Sequence, residues 1–145
     1  MEWEFILAVL NVFGFSTHFQ HWLLAIFKSA RLSIIFNGGT FGYFPCSRGV
    51  RQGDPLSPLL FCPAEDFLSR QISKATETGA LQPLRLGQLV FPSHLFYADG
   101  FLIFGKASLH DIGILNSIFL EYEKLSGQVV SWGKSFLFTS SNVTR

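Results

Sequence analysis

The residues able to do chemistry are few, and the tightest group is basic. Arg48 and Arg51 flank Gly49-Val50, with Gln52-Gly53 directly after. Guanidinium groups this close can meet phosphate oxygens through paired charge-assisted hydrogen bonds. The same residues also read as a solvated loop. Asp99-Gly100 stands between two apolar runs, where Asp-Gly is a strong type I′ hairpin signal and the bland reading is an ordinary turn. His18 and His21 are three residues apart on a helical stretch, but no third ligand accompanies them, and His94 and His110 have no pairing that suggests a metal site. Cys46 and Cys62 lack C-x-x-C spacing. They read as free thiols of a reducing compartment, buried as small apolar groups. Lys134 reads as a solvated surface lysine.

These residues are positioned by elements visible in the periodicity. Apolar residues at Trp3, Ile6, Leu7 and Leu10 predict a helix over 3–12, ended by Gly14. Thr17 is expected to cap a second helix through Trp22, Leu23, Ile26 and Phe27. The period then changes. Leu32 to Phe36, Asn37-Gly38-Gly39 and Thr40 to Phe44 form a hairpin pattern. Asp54-Pro55 opens a third helix as N-cap and first helical residue. Its predicted apolar stripe runs through Leu56, Leu59, Leu60, Ala64, Phe67, Leu68 and Ile72. Pro63 interrupts it, at a cost of about 3 kcal/mol or more for an interior proline. Leu84 to Val90 is a strand candidate. Leu95 to Ala98 and Phe101 to Phe104 are strands joined at Asp99-Gly100. Leu109 to Leu125 is a helix closed by Ser126-Gly127, and Phe136 to Thr139 is a final strand candidate. Hairpins mixed with helices, without regular βαβ alternation, predict an α+β fold in one continuous unit over 1–145.

The stretch Ser47 to Pro58 reads S-R-G-V-R-Q-G-D-P-L-S-P. It resembles the RQG-x-PLSP motif of reverse transcriptases, in the form with Asp before Pro found in non-LTR, LINE-type retrotransposons, and is similar to plant sequences of that kind. Tyr97-Ala98-Asp99-Gly100 falls where that family has its Y/F-A-D-D hairpin. Ser126-Gly127-Gln128-Val129-Val130 with Lys134-Ser135 resembles the next motif, and Met1 to Phe5 resembles the segment after the family's first catalytic aspartate. The resemblance spans nearly the whole chain. It implies a partial palm, motifs B to D, with fingers and thumb largely absent.

It also implies RNA-directed DNA polymerase chemistry, in which two divalent ions, magnesium by expectation, activate the primer hydroxyl and neutralise the triphosphate. Hard cations require rigid oxygen ligands, which the family supplies as carboxylates. On this resemblance Asp99 is the metal-binding catalytic residue and Lys134 a candidate to stabilise the leaving pyrophosphate. Arg48, Arg51, Gln52, Gly53 and Tyr97 face nucleic acid or nucleotide. The implied partners are an RNA template, a DNA primer and dNTPs, and the implied setting is cytoplasm or nucleus. Several positions depart from the pattern. The first aspartate would lie just before Met1, and Gly100 replaces the second hairpin aspartate. Pro63 replaces an apolar helix former, and Ser131 replaces Asn. The expectation is therefore an inactive polymerase fragment. The alternatives are a non-catalytic nucleic-acid-binding or interaction module, or a decayed reading frame.

Composition bounds these readings. The chain has 145 residues, 48% apolar and 14% charged, against about 25% charged in a typical soluble domain. Exposed apolar faces follow. A formal net charge of +1 excludes a general basic nucleic-acid binder, so any contact must be local. No apolar run approaches the roughly 18 residues of a membrane span. Glu2 and Glu4 precede the apolar start, where a signal peptide would carry positive charge.

Overall fold

The computed structural model describes residues 1–139. Helix α1 spans Trp3–Val12 and α2 Thr17–Ser29. Strands β1 (Arg31–Phe36) and β2 (Gly39–Pro45) form a hairpin, followed by α3 (Leu56–Glu77). Two further hairpins are β3 (Arg85–Leu86) with β4 (Leu89–Val90), and β5 (His94–Tyr97) with β6 (Gly100–Ile103). Helix α4 covers Leu109–Ser126, and one 3₁₀ turn covers Trp132–Lys134. Among the described residues there are three sheets, each two-stranded and antiparallel, which gives the expected α+β class.

The chain divides into two compact units. One comprises Met1–Glu65 with Leu125–Gly127, and the other Asp66–Lys124 with the described residues from 128 to 139. In the first, Ile6, Leu10, Leu23, Phe27 and Leu60 form the core, with Trp3, Val50 and Leu56 half-buried against it. Helix α2 is capped by Ser16, whose hydroxyl accepts from Phe19 N–H. The expected cap Thr17 is instead the first helical residue. Asn37 (φ +49°) and Gly38 (φ +76°) make the two-residue β1–β2 turn, the paired left-handed geometry of a type I′ turn. A bulge at Gly42 (φ +76°) shifts the register, and Ser33 Oγ donates to Gly42 O at 2.8 Å. Ile34, Ile35, Phe36, Phe41 and Tyr43 of this hairpin are all more than half exposed. That matches the apolar surface expected from the low charge.

Helix α3 passes through Pro63 without interruption. The carbonyl that Pro63 cannot serve belongs to Leu59, four residues earlier. Leu59 is 67% exposed rather than part of the stripe, so water can satisfy its carbonyl. The buried stripe is narrower than expected and consists of Leu60, Ala64, Leu68 and Ile72, at strict four-residue spacing.

In the second unit Leu68, Ile72, Leu81, Phe119 and Tyr122 are buried, and Phe101 packs on Phe119 with ring centroids 5.4 Å apart. Leu84 to Val90 is a small hairpin rather than one strand, because Gly87 (φ +61°) turns the chain. Phe136 to Thr139 forms no strand. Phe136, Leu137 and Phe138 are each about four-fifths exposed or more, and no strand among the described residues pairs with them. Cys46 is half-buried and Cys62 exposed, so the expectation that both are buried fails for Cys62 and is met only in part by Cys46. No helix among the described residues is long and apolar enough to cross a membrane.

Candidate nucleic-acid turn and carboxylate hairpin

Arg48, Arg51, Gln52 and Gly53 lie in the first unit, on the segment between β2 and α3. Arg51 to Asp54 is a tight turn. Asp54 N–H donates to Arg51 O at 3.2 Å, and Gly53 sits at φ +85°, the type II arrangement that favours glycine at the third position. The space around Gly53 is open, so its conformation and not crowding calls for glycine. Asp54 Oδ1 accepts from Leu56 N–H at 2.9 Å and Ser57 Oγ donates to Arg51 O at 2.6 Å, which ties the turn to the start of α3. Gly49 is fixed from the far end of the sequence. Trp3 Nε1–H donates to Gly49 O at 2.7 Å, and Gly49 N–H donates to Met1 O at 2.8 Å.

The two arginines differ. Arg48 Nη1 lies 3.7 Å from Glu2 Oε1, an exposed ion pair. Arg51 is exposed and makes no side-chain ion pair with another described residue. Arg51 is thus the cation free to meet a phosphate. Beneath the turn lies a cavity of about 280 Å³, lined by Trp3, Phe27, Leu56 and Leu60 together with Arg48, Arg51, Gln52 and Cys46.

Asp99, Tyr97 and Lys134 belong to the second unit. The β5–β6 turn is Ala98-Asp99, with Tyr97 paired to Gly100. The positive φ falls on Ala98 (+51°), not on Asp99 or Gly100. The type I′ turn centred on Asp99-Gly100 is therefore not formed. The turn lies one residue earlier, because Gly100 pairs in the strand. A Cβ at Gly100 would meet only Tyr97 O, at an ordinary 3.5 Å. Tyr97 is 88% exposed and Asp99 is exposed. Lys134 is exposed in the 3₁₀ turn, where its backbone N–H donates to Ser131 O at 2.9 Å.

Magnesium, which the resemblance implies, takes octahedral oxygen ligands and is held through one or more carboxylates plus substrate phosphates. Asp99 is a single solvent-exposed carboxylate. Among the described residues no three His, Cys, Asp or Glu side chains converge on one point. This donor set does not fit a two-metal centre.

Two supporting clusters escaped sequence reasoning. Asp111 is buried. Its Oδ2 accepts from Gln82 N–H at 2.9 Å and its Oδ1 from Ser108 Oγ at 2.8 Å, while Asp111 N–H donates to Ser108 Oγ at 3.1 Å. Burial pushes its carboxyl up, but these hydrogen bonds and the neighbouring His110 outweigh burial and hold it below the usual carboxylate range. The spacing Ser108-x-x-Asp111 before an apolar run is a capping-box signal that could have shown this. His94 bonds through both ring nitrogens, to Ser69 Oγ (2.7 Å) and Ser93 Oγ (2.8 Å), and burial lowers its pKa. No local spacing links Ser69 to His94.

Comparison with known proteins gives the setting. The chain is 42% identical over 69 residues to an uncharacterized mitochondrial protein of Arabidopsis thaliana, covering 47% of this chain and 57% of that one. It is 29% identical over 95 residues to a retrovirus-related Pol polyprotein from the type-1 retrotransposable element R2 of Popillia japonica, covering 65% of this chain and 16% of that one. The non-LTR, LINE-type reading of the motifs fits that relative. The chain spans little over half of the first relative's length and a sixth of the second's. Residues 1–144 match the family described as "Reverse transcriptase (RNA-dependent DNA polymerase)", and the chain belongs to that family.

Proposed function

We propose that this chain is the partial palm of a non-LTR retrotransposon reverse transcriptase that engages nucleic acid through the Arg51–Asp54 turn but does not add nucleotides. Membership of the family implies a nucleic-acid template, nucleotide substrates and divalent-metal dependence in general. The observation that carries the loss of polymerisation is Gly100. It occupies a strand position paired with Tyr97, where a side chain has room, and leaves Asp99 as the lone carboxylate of the hairpin. Electrostatic stabilisation is the largest catalytic contribution in many enzymes, and removing one stabilising group costs about a hundredfold or more. A site that would hold divalent ions loses an oxygen ligand with the second carboxylate, and with it the charge that would help fix them. Lys134, exposed on its 3₁₀ turn, then has no leaving pyrophosphate to serve. Tyr97 and Asp99 remain as hairpin residues.

The test is primer extension on a primed RNA template with dNTPs and magnesium, using the folded chain beside Asp99→Ala. No template-dependent incorporation is expected from either. Incorporation by the native chain that Asp99→Ala abolishes would show that Asp99 and a further ligand suffice, and would overturn the proposal.

A further inference from the structure

We infer that the outer face of helix α4 is a self-association surface. A second copy of this chain docks on it antiparallel, about a two-fold axis at Asn116. The surface belongs wholly to the second compact unit. None of the motif residues described above forms part of it.

Leu109, Ile112, Asn116 and Leu120 follow one another at three- and four-residue spacing and share one side of α4. All are exposed, Leu109 by 89%, Ile112 by 49% and Leu120 by 56%. The next row, Gly113, Ser117 and Glu121, is exposed as well. The solvent side of a surface helix ordinarily carries charge. Between Ile112 and Leu120 this one carries none, and the titratable groups His110, Asp111, Glu121, Glu123 and Lys124 stand at its two ends.

The face is complementary to itself. Beside the Ile112–Leu120 ridge runs a shallow groove of about 460 Å³ between α3 and α4, lined by Lys74, Ala75, Gly113, Ser117 and Glu121 among others. The small side chains at Gly113 and Ser117 lower that row, so the ridge of one helix can enter the groove of another. A two-fold contact places residue i against j and j against i. Ile112 stands four residues before Asn116 and Leu120 four after, so an axis at Asn116 sets each copy's Ile112 against the other's Leu120. The two Asn116 amides meet on the axis, each with a donor and an acceptor. One polar residue in an apolar seam fixes its register. His110 and Glu121 then meet across the seam, about 8 Å from the axis on either side. His110 Nδ1 lies 3.3 Å from Asp111 Oδ1, and the protonated ring has its Nε2–H left for a second carboxylate. Glu121 is exposed and makes no hydrogen bond or ion pair with another described residue.

The experiment is sedimentation equilibrium of the full chain from micromolar to submillimolar concentration. The native chain is expected to pass from monomer mass to dimer mass. Gly113→Trp fills the groove. Nothing lies within 4 Å of a Cβ at that position, so the monomer has room for the side chain. The dissociation constant should rise about tenfold or more. Asn116→Asp, at an exposed position, sets two carboxylates on the axis and should weaken the dimer likewise, with circular dichroism confirming the helix content of both variants. Cross-linking reads the register. In a chain carrying Cys46→Ser and Cys62→Ser, Asn116→Cys should give a disulfide-linked dimer on mild oxidation. Gln88→Cys, exposed on the β3–β4 turn, should remain monomeric in the same treatment.

Three outcomes overturn the proposal. One is a monomer throughout the concentration range. Another is a dimer that neither α4 variant weakens, and its dissociation by Ile35→Lys would assign the interface to the exposed β1–β2 hairpin instead. The last is a mass that climbs past the dimer without limit, because a two-fold contact closes at two copies.

Discussion

The chain carries two tight turns from its family's motifs, one in each compact unit, and they have fared differently. The Arg51–Asp54 turn is held by its own backbone and by its neighbours. Gly53 takes the left-handed conformation, Asp54 closes the turn and caps α3, and Ser57 returns to Arg51 O. The Tyr97–Gly100 turn keeps its shape with less support. Ala98 bears the positive φ, at a cost of about 1–2 kcal/mol for a residue with a Cβ. Tyr97 stands 88% exposed, and Asp99 makes no side-chain hydrogen bond or ion pair with another described residue. The first motif encodes a backbone shape through glycine, proline and a cap, and that shape persists. The second encodes carboxylates. On the proposed reading, glycine at position 100 leaves the hairpin one carboxylate short while its register, Tyr97 paired with Gly100, is regular.

The largest expected effect tests what supports the hairpin-bearing unit. Asp111→Ala removes a buried acceptor of Gln82 N–H and Ser108 Oγ and one half of the α4 capping box. Loss of the cap costs about 1 kcal/mol, and loss of buried hydrogen bonds to a charged group adds about 1.5–3 kcal/mol. A total near 3 kcal/mol should appear as a lowered urea midpoint. A change within about 0.5 kcal/mol would show that this unit does not depend on the Asp111 network.

Acid should find the same unit first. The folded pKa of His94 is lowered, so its neutral form is the one the fold prefers. Its contribution is intact above the ordinary value of about 6.5. It is lost progressively as pH falls from there toward the folded pKa, because the unfolded chain takes up the proton first. Asp111 is also depressed, so its contribution is present above the ordinary carboxylate range and lost as pH falls through the folded value. Stability measured from pH 7 downward should therefore fall in two stages, and His94→Gln should flatten the first. An unchanged first stage in His94→Gln would break this assignment.

Much of this architecture was legible, and the misses share a cause. Both helix starts at Trp3 and Leu109 and the Asn37-Gly38 turn follow from local patterns, and so they were readable. The Asp99-Gly100 dipeptide signals a turn one residue later than the one that forms, because Gly100 pairs with Tyr97 in the strand. Leu59 fits the apolar stripe by spacing, yet the structure leaves it exposed on the same helix as Pro63. In the candidate site, the motif singles out Arg51 and Gln52 by residue type and spacing. The partners that distinguish Arg48 from Arg51, and the Trp3–Phe27 wall, depend on contacts between residues far apart in sequence, which no spacing reports.

The sharpest test of the comparison uses one substitution at both turns. Gly53→Ala forces a Cβ into φ +85° with open space around it, so conformation alone sets the cost, about 1–2 kcal/mol. Gly100→Ala meets no such conformation. Its φ lies outside the left-handed region, and the new Cβ would touch only Tyr97 O at 3.5 Å. Alanine also restricts the unfolded chain, and glycine inside a strand is unfavourable by roughly 0.5–1 kcal/mol. Gly100→Ala should thus be neutral or stabilising by up to about 0.5 kcal/mol in the same urea titration. Opposite signs at the two glycines would mean that one is required by its turn, while the other is a bare strand position that could carry a side chain without strain. Equal losses would mean that Gly100 serves the hairpin's geometry, and the absence of a second carboxylate would then have a structural cause.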